Sequence, residues 1–257
     1  MSNQKCSFIP PYLEEDYNES NNTAASLKSR ATAIRRCAEG YVKAFLWDEI
    51  LAFAPKASKG LLFRWISELK KMGYTGLALE LEEMRVVGNP GAHFGPNPSE
   101  EDLTKAIEVL PRILSELFYI HFSKAKGEVE LLGADLVLFS TLPPELRVIV
   151  WEKYTRQYAN DLFALEKYLL ALVKSGRKID ADKIIDQKVE TGVVDARIEA
   201  HYREKIDLIN RELHRLPIAE DMVTARANFE TVMRECGNVG SERFSELAER
   251  LCKEVLN

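Results

Sequence analysis

Residues 22–54, NTAASLKSRATAIRRCAEGYVKAFLWDEILAFA, decide the fold class. Leu27, Ala31, Ile34, Ala38, Tyr41, Val42 and Phe45 recur at steps of three and four, the period of a helix with one apolar face. Asn22 or Thr23 is placed to cap its first turn. Pro55 stops it, because proline removes a backbone donor and clashes with the preceding turn. A chain that opens its ordered part this way, with no alternating strand pattern beside it, reads as all-α.

The same period continues outward. From about Ser58, Leu61, Leu62, Trp65, Ile66 and Leu69 share a face, and Gly73 ends that segment. A third helix runs from about Leu77 through Met84 to Val87 and is expected to stop at Gly88-Asn89-Pro90-Gly91, a run of helix breakers that opens a loop to Pro98. Ser99-Glu100-Glu101-Asp102 then reads as a variant capping box, with acids suited to the positive helix end. Leu103, Ala106, Ile107, Leu110, Leu114, Leu117 and Phe118 form the next stripe, and Pro111 should kink it.

Upstream, residues 1–21 hold Pro10, Pro11 and several Asn and Glu, and read as an irregular arm. Downstream, 128–140 is ambiguous between a short hairpin around Gly133-Ala134 and a helix start. From Pro143 the pattern is helical again, because proline costs nothing at a helix N-terminus. Leu162, Leu165, Leu169, Leu172 and Val173 form one stripe. Further helices are expected near 181–190, 194–215, 218–235 and 241–255. The organisation expected is an arm over 1–21, a helical bundle over 22–126 and a second helical region over 127–257.

Composition excludes several classes. The chain has 257 residues and a formal net charge of −5, which argues against binding nucleic acid through bulk charge. Hydrophobic residues at 46% suffice for a core, and no apolar run reaches the roughly 20 residues a membrane span needs. Cys6, Cys37, Cys236 and Cys252 form no C-x-x-C pair and read as packed, reduced thiols of a cytoplasmic protein. The histidines lie at no metal-ligand spacing with a carboxylate, and there is no Walker loop, dinucleotide fingerprint or nucleophile elbow. Neither a metal nor a cofactor is expected.

One segment holds residues suited to chemistry: Arg85-Val-Val-Gly-Asn89-Pro-Gly-Ala-His93. Arg presents a planar, permanently charged fork to phosphate. His is the side chain suited to moving protons near neutral pH. Asn89 can orient either partner or a ribose hydroxyl. Together they fit cleavage of RNA through its 2′-hydroxyl, which needs an acid–base pair and no metal. Arg30, Arg35, Arg36 and Lys43 lie on one broad side of the first helix and are candidate phosphate contacts, weighed against an ordinary solvated face.

Residues 27–122 resemble the family called domain of unknown function 4145, which is similar to the HEPN superfamily of helical bundles. The resemblance rests on Met84-Arg85-Val-Val-Gly-Asn-Pro-Gly-Ala-His93 against the family loop. It also rests on Arg30, Arg36 and Glu39 in the first helix, and on Ser99-Glu100-Glu101 with Phe118-Tyr119 in the fourth. It implies a dimer, or a subunit of a larger complex, in a prokaryotic defence or RNA-processing system. Many such proteins cut RNA with an R-x(4–6)-H motif; here seven residues stand between Arg85 and His93, and Gly88 stands where the Arg of that motif aligns. Three functions stay open: a non-catalytic module binding RNA, a nucleotide or a partner protein; a metal-independent endoribonuclease using Arg85, Asn89 and His93; and a scaffold acting through residues 143–257.

Overall fold

The computed structural model describes residues 9–92, 97–124 and 129–236, together with Phe244 and Leu251. Helices account for 82% of the structure, and the described residues include no strand, so the all-α reading holds. They divide into two compact units that part between Ile120 and His121.

The first unit is built around α2 (Leu27–Phe45) and α5 (Thr75–Ala92). Ser26 caps α2, its hydroxyl accepting from Ser29 N at 3.1 Å, so the helix starts four residues later than Asn22 predicts. The expected face is buried, with Ile34, Cys37, Ala38 and Val42 fully enclosed. The chain bends at Leu46, and the segment before Pro55 becomes a separate α3 (Trp47–Phe53). After a 3-10 turn at Pro55–Lys59, α4 (Leu62–Lys71) buries Leu62, Trp65, Ile66 and Leu69, and Trp65 donates its indole N–H to Ala57 O at 3.0 Å. Gly73 ends this stretch at φ 88°, a conformation that favours glycine.

The irregular arm expected over 1–21 is corrected for its described part. Pro11–Leu13 makes a 3-10 turn and Glu14–Asn21 forms α1. Proline at the first position and Glu14, Glu15 and Asp16 in the first turn suit a helix start, so the composition that suggested a loop marks a helix N-terminus. α1 is tied to α2 by Arg36, which binds Asp16 at 2.6 Å and also Glu19.

α6 (Glu100–Lys124) opens as the sequence predicts. Ser99 Oγ accepts from Asp102 N at 3.1 Å while Asp102 Oδ2 accepts from Ser99 N at 3.0 Å, a reciprocal cap with Asp in the usual Glu position. The helix is continuous through Pro111.

The second unit takes the end of α6 and the helices after it. Of the two readings left open at 128–140, the structure takes the helix, α7 (Val129–Phe139). The helix is favoured by what it buries: Asp135, 1% exposed, meets His121, and Phe139 joins Phe122, Trp151 and Phe244 in one aromatic cluster. α8 (Pro144–Gln157) starts on Pro144. α9 (Leu162–Lys174), capped by Asp161, packs against α8, α10 (Lys178–Glu190) and α11 (Ala196–Glu212). Gly176 at φ 77° closes α9, with Arg177 N donating back to Leu172 O at 2.8 Å. Tyr202 on α11 donates its hydroxyl to Leu162 O at 2.7 Å. α12 (Met222–Cys236) follows. The helix expected over 241–255 lies outside the described residues apart from Phe244 and Leu251.

Candidate functional site

The helix expected to break at Gly88-Asn89 does not break there. α5 runs on to Ala92, so Arg85 and Asn89 stand one turn apart on one helix face. Gly88 serves packing. A Cβ built on it would lie 2.5 Å from Arg35 Cβ, 3.0 Å from Ala31 O and 3.1 Å from Arg35 N. The glycine is what lets α5 approach the backbone of α2, and that contact supports the helix past the point where local propensity would end it. His93 lies outside the described residues.

Arg85 is committed to its own helix. Its Nε and Nη2 donate to the two carboxylate oxygens of Glu82, both at 2.8 Å, a bidentate pair. That hydrogen bond holds the Glu82 carboxyl below its usual range and raises Arg85. The Asn89 amide has two orientations. In one, Oδ1 takes a long 3.5 Å bond from Arg35 Nη1. In the other, it accepts from Arg85 Nη1 at 2.5 Å while the amide nitrogen donates to Arg85 O at 3.3 Å. The second satisfies both ends of the amide and is the one we adopt.

Arg35 joins this cluster from α2, pairing with Glu39 at 3.0 Å. The site is thus two arginines, two glutamates and an asparagine, balanced in charge. The other three basic candidates are elsewhere and do not share one face with Arg35. Arg30 is 4% exposed and binds Ser20 O at 2.8 Å and both oxygens of Glu100 at 2.9 and 2.7 Å. Arg36 pairs with α1. Lys43 lies 6.0 Å from the Trp65 ring. The helical wheel places these residues around α2, and what sorts them is which neighbour brings a carboxylate, information that the local sequence does not contain.

Beside the cluster, α5 and α6 enclose a groove of about 320 Å³. Leu79, Val86, Val87 and Ala106 line it, with Glu82, Glu83, Asp102 and Lys105 at its edge. Leu79 and Val86 are 57% and 54% exposed. The sequence shows these two only as apolar residues off the buried stripe. In the second unit the pair His121 Nε2 and Asp135 Oδ2, 2.6 Å apart, also escapes sequence reading, because Asp135 falls in the ambiguous segment.

Among the described residues no group of three or more His, Cys, Asp or Glu could hold a metal, and no helix is long and apolar enough to cross a membrane. No family model, no curated protein and no solved structure matches the chain. The HEPN-like resemblance therefore stands on the motif residues alone.

Proposed function

We propose that residues 9–120 form a HEPN-like binding and assembly module, and that its Arg85-Asn89 segment does not cut RNA. The observation that supports this is the bidentate hold of Glu82 on Arg85. A guanidinium that must steady charge on a transferring phosphate needs free N–H donors directed at it. Here two are spent on a carboxylate and a third meets Asn89. Arg30, Arg35 and Arg36 are likewise paired with the chain's own acids, which disfavours a polyanion ligand along α2. A protein partner, first of all a second copy of the chain, suits the unit better. The half-exposed Leu79 and Val86 supply apolar surface of the kind that assemblies cover.

The test is to incubate purified protein with mixed RNA, alone and as Arg85→Ala and His93→Ala, while light scattering follows assembly. The expected result is no cleavage by any form, a dimer or larger species, and weaker assembly in a Leu79→Ser, Val86→Ser variant. Cleavage that leaves 2′,3′-cyclic phosphate ends and falls about 100-fold in either single variant would replace this reading with the ribonuclease one.

A further inference from the structure

Arg147 occupies the first turn of α8 in the second unit and is 7% exposed. Its Nε is buried with no hydrogen-bond partner, and no carboxylate among the described residues comes within ion-pairing distance of the guanidinium. Buried charges are ordinarily paired, because an isolated one loses its hydration for no return. An unpaired buried arginine therefore needs an explanation beyond the fold.

Two further positive features converge on it. α8 and α9 are joined by only four residues and pack on each other, and Lys174 at the C-terminal end of α9 feels the charge of Arg147. Burial pushes the Lys174 ammonium down to about 8, and the charges of Arg147 and then Lys167 push the same way. Burial also lowers Arg147 to about 10, opposed by Glu145, so the guanidinium stays charged at neutral pH. Lys174 makes no ion pair or hydrogen bond to any described residue. The second feature is the helix end itself. The N-cap of α8 is Pro143, which offers no side-chain cap, and the first-turn amides of Glu145 and Leu146 have no acceptor within the helix. Their partial positive charge adds to that of the two side chains. Among the described residues, Glu145 is the acid that acts on Arg147, and it forms no ion pair with it.

We propose that Arg147, Lys174 and the N-terminal turn of α8 form a binding site for a phosphate group. The guanidinium fork takes two phosphate oxygens, the ammonium a third, and the free amides contribute from the helix end. A dianion matches two cations that have no ion-pair partner among the described residues, where a single carboxylate would leave one uncompensated. The site lies wholly within the second unit, so it stands or falls independently of the reading given to Arg85.

The experiment is titration calorimetry of the full chain with inorganic phosphate, AMP and adenosine at constant ionic strength. Phosphate and AMP should bind and adenosine should not. Tighter binding of AMP marks a nucleotide phosphate as the source, and equal binding marks free phosphate. Arg147→Met and Lys174→Met should each weaken binding roughly tenfold or more, as loss of one charge-assisted contact does. Lys183→Met, at an exposed position on α10, should leave it unchanged. If Arg147→Met does not fold by circular dichroism, Arg147→Lys and the half-buried Lys174→Met provide the comparison. The site is overturned if millimolar phosphate and AMP give no binding heat, or if both binders keep wild-type affinity in the Lys174 and Arg147 variants.

Discussion

Replacing Gly88 with alanine sets two effects of known sign against each other. Alanine in a helix interior is favoured over glycine by about 0.8–1.0 kcal/mol, so propensity alone predicts a more stable protein. Packing predicts the reverse. The new methyl would sit 2.5 Å from Arg35 Cβ, and its next neighbours, Ala31 O and Arg35 N, are backbone atoms of α2 that no rotamer change can move. Relief requires α2 and α5 to separate, and overpacking of that kind costs about 1–3 kcal/mol. Because the obstacle is backbone, the cost falls in the upper part of that range, about 2–3 kcal/mol, which leaves Gly88→Ala destabilised by about 1–2 kcal/mol, or about 4–16 °C in a unit of this size. Two other glycines calibrate the result. Gly133 on α7 would meet nothing within 4 Å, so Gly133→Ala keeps the propensity gain and stabilises by about 0.5–1 kcal/mol. Gly40 on α2 would meet only the end of the Leu13 side chain, which can turn aside, so Gly40→Ala should be close to neutral. Urea unfolding by tryptophan fluorescence in a Trp151→Phe background reports the first unit through Trp47 and Trp65, and far-UV circular dichroism reports both units. A Gly88→Ala protein as stable as its parent would refute the close approach of α2 and α5, and with it the reason given for α5 continuing to Ala92.

Three further outcomes follow from the same geometry. The folded pKa of Lys174 is lowered from 10.5 to about 8, so between those values the unfolded chain binds more protons and stability rises with pH; the cost is fully present below pH 8, and wild type should gain on Lys174→Met from pH 8 to 10.5 in urea midpoints, a gap that stays constant if the lysine is not buried. Arg30→Ala should cost about 2 kcal/mol in thermal unfolding, since it strips a buried stem and the donors that Ser20 O and Glu100 use, whereas the exposed Arg156→Ala should cost well under 0.5. The Cys37 thiol is pushed up to about 12, by burial first and then by Asp16, so it should resist alkylation at pH 8 while the exposed Cys236 reacts, with peptide mass spectrometry reading the two; rapid labelling of Cys37 in the folded protein would contradict the packing of α1 on α2.

The helices were legible wherever an apolar stripe met an unambiguous stop. The Ser99-Asp102 cap and the Pro144 start could be read because each works through atoms a few residues apart. The misreadings came from residues whose local preference loses to a distant neighbour. Gly88 looks like a terminator, and it is a contact with Ala31 and Arg35. Gly133 left a turn and a helix both open, and α7 passes through it to place Asp135 on His121. Pro10 and Pro11 suggest a loose arm, and they precede a helix that Arg36 holds down. The candidate site divides in the same way: that Arg85 and Asn89 belong together is visible in their spacing, but not that Glu82 takes two of the five guanidinium N–H donors. Arg147 was hidden in PPELRVIVWEKY as one charge inside a buried run, and only its lack of a partner among the described residues sets it apart.

The pairing of α2 with α5 also bears on how the chain is made. Residues leave the ribosome at about 5–20 per second, and α5 is complete roughly 50 residues after α2, so α2 waits some seconds for the helix that covers its apolar face. When α2 is complete, α1 is its described neighbour already synthesised, which gives its salt bridges to Arg36 a use before the native state exists. Within the second unit, α8 to α11 have no such delay, because α8 and α9, and then α10 and α11, meet partners close behind them in the chain. Aggregation during synthesis should therefore respond to changes at Asp16 and Glu19 far more than to any in α10 or α11.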